Sequence, residues 1–250
     1  MIPIKTPEEI AVMREGGHIL AQIMKELIVQ VKPGVTTDQL DKIAEAKIRE
    51  AGAKPAFLNY QGFPRTMCTS VNEEVVHAIP SEEKILKAGD IVSLDLGVIY
   101  KGYYSDMART IPVGEVAPET SRLVRVCREA LRLGTEKARP GITTGDIGNT
   151  IQRFVESHGY GIVRELCGHG IGKELHEEPQ VLNYGERKSG VKLEQGMVIC
   201  IEPMITMGDF NVKRAKDGQA FVTRDGSLSA HFEDTVALIA SGAEVLTKFE

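Results

Sequence analysis

Two acidic residues stand where an apolar run would not be expected to hold them. Asp95 interrupts "IVSLDLGVI" and Glu202 interrupts "MVICIEPMI". A carboxylate in such a run costs several kcal/mol to bury unless something compensates it. A lone acid there is most simply a strand-end residue or the partner of an arginine. Two acids at matched places in a repeated sequence argue instead that the position is used. Asp106 in "YYSDMART" and Glu233 in "HFEDT" supply two more. With a hairpin tip at Tyr100-Lys101, Asp95 and Asp106 would lie directly opposite, their Cβ atoms about 5 Å apart. Like charges so close are unfavourable alone and favourable around a divalent cation. Four carboxylates are too much charge for one ion and suit two, roughly 3.5–4 Å apart with bridging carboxylates.

An oxygen-rich site of this kind takes an imidazole readily, and the chain has six histidines: His18, His77, His158, His169, His176 and His231. His18 and His158 fall in or at the end of helical patterns and are expected to be structural or surface residues. His77, His169 and His176 lie among small residues, in "VVHAIP" and "GHGIGKELH". One of them would complete a metal site, leaving the others to handle substrate. The glycines around His169 do not form a phosphate loop. A dinucleotide fingerprint needs glycine where Lys173 stands, and a Walker loop needs Gly and Ser/Thr where Cys167 and Glu174 stand. HExxH is absent. The expectation is a pliable backbone passing close to a bound molecule.

These residues must be positioned by the rest of the chain, which repeats itself once. "KPGVTTDQL" from Lys32 recurs as "RPGITTGDI" from Arg139, Gly52 recurs as Gly159, and "GDIVSLD" from Gly89 recurs as "GMVICIE" from Gly196, always at an offset of 107. That period is too long for a solenoid. It fits two halves, roughly 1–112 and 113–250, about an approximate two-fold axis within a single 1–250 domain. Each half reads as helix, Pro-Gly turn, helix and strands. "TPEE" at Thr6 is a capping box with Pro7 at the first helical position, opening a helix with Ile10, Met13, Leu20, Met24 and Leu27 on its apolar face. A second helix runs from Thr36 or Thr37 to Gly52; the repeats run from Pro118 to about Ala138 and from about Thr144 to Gly159. "DIVSLDLGVIY" and "GYYSDMARTIPV" are strands, matched by "GMVICIEPMI" and "HFEDTVALIA". Residues around "GDFNVKRAKDGQAFVTRDGSLS" lengthen the last hairpin. The expected class is α+β, strands in a central sheet and helices outside.

Composition narrows the function. A net charge of -5 gives no electrostatic reason for tight nucleic-acid binding. No apolar run reaches the roughly 18 residues of a membrane span. "MIPIKTPEEI" lacks the apolar stretch of a signal peptide, so a cytoplasmic location is expected. The four cysteines, Cys68, Cys127, Cys167 and Cys200, form no CxxC pair, which speaks against a disulfide framework or Cys-based zinc site.

Taken in order and spacing, "NEEVVHAIP", "SLDLG", "YYSDMART", "GHGIGKELHEEP", "IEPM" and "HFEDT" resemble the type I methionine aminopeptidases of the pita-bread fold, peptidase family M24. The resemblance spans residues 57 to 236. It implies two pseudo-symmetric halves sharing a curved antiparallel sheet, and removal of the initiator methionine by dinuclear-metal-assisted hydrolysis when the second residue is small. It assigns Asp95, Asp106, His169, Glu202 and Glu233 to two divalent metals (Co, Mn, Fe or Zn), with Asp106 and Glu233 bridging. It makes Glu202 the proton shuttle, places His176 on the oxyanion and His77 on the scissile amide, and puts Tyr60, Phe63 and Cys68 in the methionine pocket. Leu175 and Gln219 stand where some members carry aromatics, which bears on the shape of that pocket. The implied partners are nascent polypeptides, with transient ribosome contact compatible with that role, and the implied state is a monomer. Two rivals remain on the same fold: Xaa-Pro peptidases, which usually carry a large extra N-terminal domain, and non-catalytic binders, which have lost the ligands.

Overall fold

The computed structural model describes residues 2–249, so the outermost positions of the expected 1–250 domain, Met1 and Glu250, lie outside the described residues. Among the described residues four α-helices form, α1 Pro7–Gln30, α2 Thr37–Glu50, α3 Pro118–Lys137 and α4 Thr144–Ser157; capping boxes open α1, α2 and α4, and Pro118 opens α3 without a side-chain cap. Thr6 opens α1 with a complete capping box, its hydroxyl taking the Glu9 N–H while the Glu9 carboxylate takes the Thr6 N–H. Ile10, Met13, Leu20, Met24 and Leu27 are all buried.

The repeat in the sequence is a repeat in space. Thr36 with Gln39 and Thr143 with Asp146 cap α2 and α4 by the same reciprocal hydrogen bonds. Thr36 bridges Ile85, and Thr143 bridges Lys192. Beyond the two helices, Gly52 (φ 74°) and Gly159 (φ 82°) take the left-handed conformation that glycine adopts without a Cβ clash.

Among the described residues the central sheet has nine strands, all antiparallel. Its main path runs Lys54–Pro55, Ile91–Tyr100, Tyr103–Pro112, Glu233–Ile239, Val198–Ile201, Gly168–Gly170 and Glu177–Val181; Met67–Val71 pairs with the second of these and Gly242–Val245 with the fourth. The second-half runs are each split. "GMVICIEPMI" breaks at Glu202-Pro203, where proline has no N–H for the ladder. "HFEDTVALIA" breaks at Phe232. The extra residues before it form the hairpin Val212–Arg214 with Phe221–Thr223, which pairs with Glu74–Val76.

Strand alternation decides which face is free. Val92, Leu94, Leu96 and Val98 pack with Leu20, Met24, Leu27, Leu40 and Ile48 of α1 and α2. In the other half Ile199, Ile201, Val236 and Leu238 pack with Leu123, Leu131, Ile147 and Ile151 of α3 and α4. The intervening residues, Ser93, Asp95 and Gly97 among them, are left to the opposite face.

The halves meet where Tyr103–Pro112 pairs with Glu233–Ile239, at Glu233 with Ala108 and Asp234 with Met107. One hydroxyl closes this seam. Thr235 Oγ1 accepts from the Asp106 N–H at 2.9 Å and donates to the Asp106 carbonyl at 2.8 Å. Thr235→Val keeps the shape and orphans both main-chain groups, so it should cost about 1–3 kcal/mol. Chemical denaturation measures this; a loss below about 0.5 kcal/mol would show that the seam does not depend on the hydroxyl.

Candidate metal centre and its cavity

The Ile91–Tyr100/Tyr103–Pro112 hairpin turns at Lys101-Gly102, both with positive φ, so Tyr100 pairs with Tyr103. The register therefore differs from the one expected. Asp95 pairs with Ala108, and Asp106 pairs with Gly97. The two carboxylates are diagonal neighbours rather than direct opposites. The shift is by two residues, so both remain on the same face. Gly97 stays small because a Cβ there would lie 2.8 Å from Phe57.

Across the seam Glu233 joins them. Oxygens of Asp95, Asp106 and Glu233 lie within 4.8 Å of one another, as do ligand atoms of Glu202, His231 and Glu233. His169 Nε2 is 3.6 Å from Glu202 Oε1 and 3.9 Å from Glu233 Oε1, and its Nδ1–H donates to the Gly170 carbonyl at 2.8 Å. That bond fixes Nε2 as the nitrogen turned toward the carboxylates. All five expected ligands thus converge on one centre.

Among the described residues no lysine or arginine pairs with these carboxylates. Asp95, Asp106 and Glu233 are buried, and each has an oxygen without a hydrogen-bond partner. Burial pushes Asp95 up to about 6. It raises Asp106, Glu202 and Glu233 well above the usual carboxylate range, and the neighbouring acids add to the rise. Burial lowers His169 to about 3, leaving a neutral ring with a free lone pair. Orphaned buried oxygens, mutually repelling acids and a neutral imidazole fit divalent cations.

The centre forms one wall of a cavity of about 560 Å³ that also contains His77, His176, Tyr60, Phe63, Cys68, Leu175 and Gln219. Tyr60 and His176 hydrogen-bond between the phenolic oxygen and Nδ1 at 2.8 Å, and the His176 ring stands edge-on to His169 with centroids 4.4 Å apart. Burial holds His176 below its ordinary value. His77 opens onto the cavity in a left-handed conformation (φ 61°), and the surrounding walls still push it down to about 4. Phe63 and Cys68 belong to the core cluster of Met13 and Leu175 as well as to the cavity wall. His18 is exposed on α1, and His158 caps α4 through the Phe154 carbonyl, so neither approaches the centre.

The glycines of the "GHGIG" stretch have a different use from the one expected. A Cβ on Gly168 would lie 2.3 Å from the Cys200 carbonyl oxygen, and one on Gly170 would lie 2.2 Å from that of Glu178. They permit close approach of the protein's own strands. The following turn is held by Glu177, which accepts the N–H groups of Lys173 and Glu174 and the Lys5 ammonium at 2.6 Å. This buried pair straps the N-terminal segment against the segment that carries His176.

The sequence reading did not single out His231. It is 2% exposed, neither ring nitrogen has a hydrogen-bond partner, and Nε2 is 3.6 Å from Glu202 Oε2. Its place two residues before Glu233 was the available signal, since alternate strand residues share a face.

The sequence profile of metallopeptidase family M24 matches residues 11–240. The methionine aminopeptidase of Clostridium acetobutylicum is 48% identical over 250 residues, covering 100% of both chains. That of Escherichia coli K12 is 44% identical, over 98% of this chain and 94% of its own. The crystal structure of methionine aminopeptidase from Thermotoga maritima superposes with a TM-score of 0.98 at 45% identity, covering 100% of both chains. The prolidase from Pyrococcus furiosus superposes at 0.81 and 29% identity over 99% of this chain and 66% of that one.

The raised carboxylates give a pH signature. A group whose folded pKa lies above its unfolded value stabilises below the unfolded pKa, and that contribution is lost as pH rises through the folded one. For Asp95 the window runs from 3.8 to about 6, and the other three acids carry the loss higher. Divalent ions cancel the loss by displacing protons. The gap in Tm between ion-loaded and metal-free protein should therefore widen as pH rises from about 5 to 7. A gap that stays constant would mean that the acids are already ionised without metal.

Proposed function

This chain belongs to metallopeptidase family M24, within its methionine aminopeptidases, and on that premise we propose that two divalent ions are held by Asp95, Asp106, His169, Glu202 and Glu233. In this reading Asp106 and Glu233 would serve both ions. The observation that carries it is four carboxylates, Asp95, Asp106 and Glu233 buried and Glu202 half-buried, gathered with no lysine or arginine paired to them among the described residues. The activity is release of an N-terminal methionine by metal-assisted peptide hydrolysis, and the family uses divalent metal ions. When bound, the ions supply Lewis-acid polarisation and make a nucleophile available near neutral pH.

The chain's own groups do the rest. Glu202, its acidity weakened by burial and by Asp95, suits the transfer of a proton from the attacking water to the leaving amine. Burial holds His176 below its ordinary value, and with Tyr60 as the donor to Nδ1 the ring would carry its proton on Nε2, a donor for the developing oxyanion. His77 faces the same cavity and would hold the scissile amide, in a backbone conformation that non-glycine residues seldom adopt. Tyr60, Phe63, Cys68 and Leu175 offer an apolar, polarizable wall for the methionine side chain. Gln219 sits on the hairpin side of the cavity with Phe221, where it bears on tolerance for the second residue, which we read as small.

An imidazole among oxygen donors admits Mn, Fe, Co or Zn. The expected substrates are nascent polypeptides, met in the cytoplasm with transient ribosome contact, by a monomer whose two duplicated halves act as one catalytic domain. Among the described residues no helix is long and apolar enough to cross a membrane.

Methionine should be released from Met-Ala and Met-Gly peptides only after a divalent ion is added, and an assay of chelator-treated protein across the four metals measures this. Cleavage solely before proline would favour the Xaa-Pro peptidases, and no hydrolysis with any ion a binding role. Glu202→Gln should lower kcat by about 10²–10⁴-fold with metal still bound. His176→Ala should lower it by about 10²–10³-fold with little change in metal content. Near-normal turnover in either variant removes the corresponding role.

A further inference from the structure

His231 lies against the same carboxylates as His169, from the other side. His169 Nε2 is 3.6 Å from Oε1 of Glu202 and 3.9 Å from Oε1 of Glu233. His231 Nε2 is 3.6 Å from Oε2 of Glu202 and 4.0 Å from Oε2 of Glu233. Each glutamate thus turns one oxygen to one imidazole and the second oxygen to the other. These separations exceed a hydrogen bond. They match those between atoms that share an ion at about 2.0–2.2 Å each. His231 is 2% exposed, and both its ring nitrogens lack a partner. A buried imidazole in that state calls for one.

The backbone is built to hold it there. Thr110 Oγ1 accepts from the His231 N–H and donates to the His231 carbonyl, both at 2.8 Å, and bonds Ser93 Oγ at 2.8 Å. The hydroxyl of Thr235 grips Asp106 in the same double manner. One threonine fixes a carboxylate of the centre and the other fixes this histidine, each across the seam between the halves.

We propose that His231 is a second imidazole ligand, on the side of the centre opposite His169, so that each of the two ions takes one histidine. The inference rests on the dinuclear reading above and adds a nitrogen donor to it. A second imidazole moves the donor set toward ions that favour nitrogen, such as Zn and Co, and away from Mn.

The test uses the full chain loaded with Co(II) and proton NMR in H₂O against D₂O, which counts exchangeable, hyperfine-shifted imidazole N–H signals. Wild type should show two, and His231→Gln one. Calorimetry with Co(II) should find two ions in wild type and one of them bound about 10–100-fold more weakly in the variant. Circular dichroism checks that the variant is folded; if it is not, His231→Asn and the wild-type signal count still decide. Two bound ions with a single imidazole signal, or unchanged affinity in a folded variant, would overturn the role of His231 alone. Failure of wild type to bind Co(II) at all would overturn the dinuclear reading with it.

Discussion

Four carboxylates, three buried and Glu202 half-buried, gathered among the described residues without a cation of the protein's own, are the constraint around which this molecule is arranged. Among the described residues no lysine or arginine pairs with Asp95, Asp106, Glu202 or Glu233. Arg109 is nearby, but its guanidinium faces the other way, onto the Ala108 and Glu233 carbonyls and the Asp234 carboxylate. It secures the strand behind Glu233 and leaves the charge in front unpaired. A protein that folds with such charge loses stability to it and recovers that loss when divalent ions bind. The metal reading is thus a statement about folding energy as well as catalysis.

Two helix pairs, each with a capped second helix and a glycine exit, cover the outer face of both halves with separate apolar clusters. The sheet is then free to present polar residues on its other face only where alternation and register agree. That happens at the seam, where strands of the first half meet strands of the second. Two threonine hydroxyls tie main chain to main chain there. A centre built on paired strands is held more closely than one built on loops. The remaining wall is held differently: His176 through a turn pinned by Glu177 and Lys5, and His77 in a left-handed backbone position.

Much was legible without coordinates because it was local or periodic. Capping boxes, the Pro-Gly turns and the period of apolar residues set the helices within a residue or two, and the 107-residue repeat matched their partners. Asp95 and Glu202 were visible because a charge in an apolar strand conflicts with its surroundings, and a conflict repeated by duplication is informative. The hairpin register was not legible. A turn at Lys101-Gly102 instead of Tyr100-Lys101 moved Asp106 from opposite Asp95 to the diagonal, a choice made by two left-handed residues.

The sequence by itself determined the elements, their duplication and the set of acids and histidines from which a centre is built. Those follow from propensity, capping and alternation, which act over a few residues. Tertiary structure alone decided which oxygens face which imidazole, that the glycines near His169 serve strand packing, and that His231 belongs beside Glu202. These depend on distances between residues about 30 to 130 positions apart in the sequence, and no local rule fixes such distances before the strands and the two halves pack.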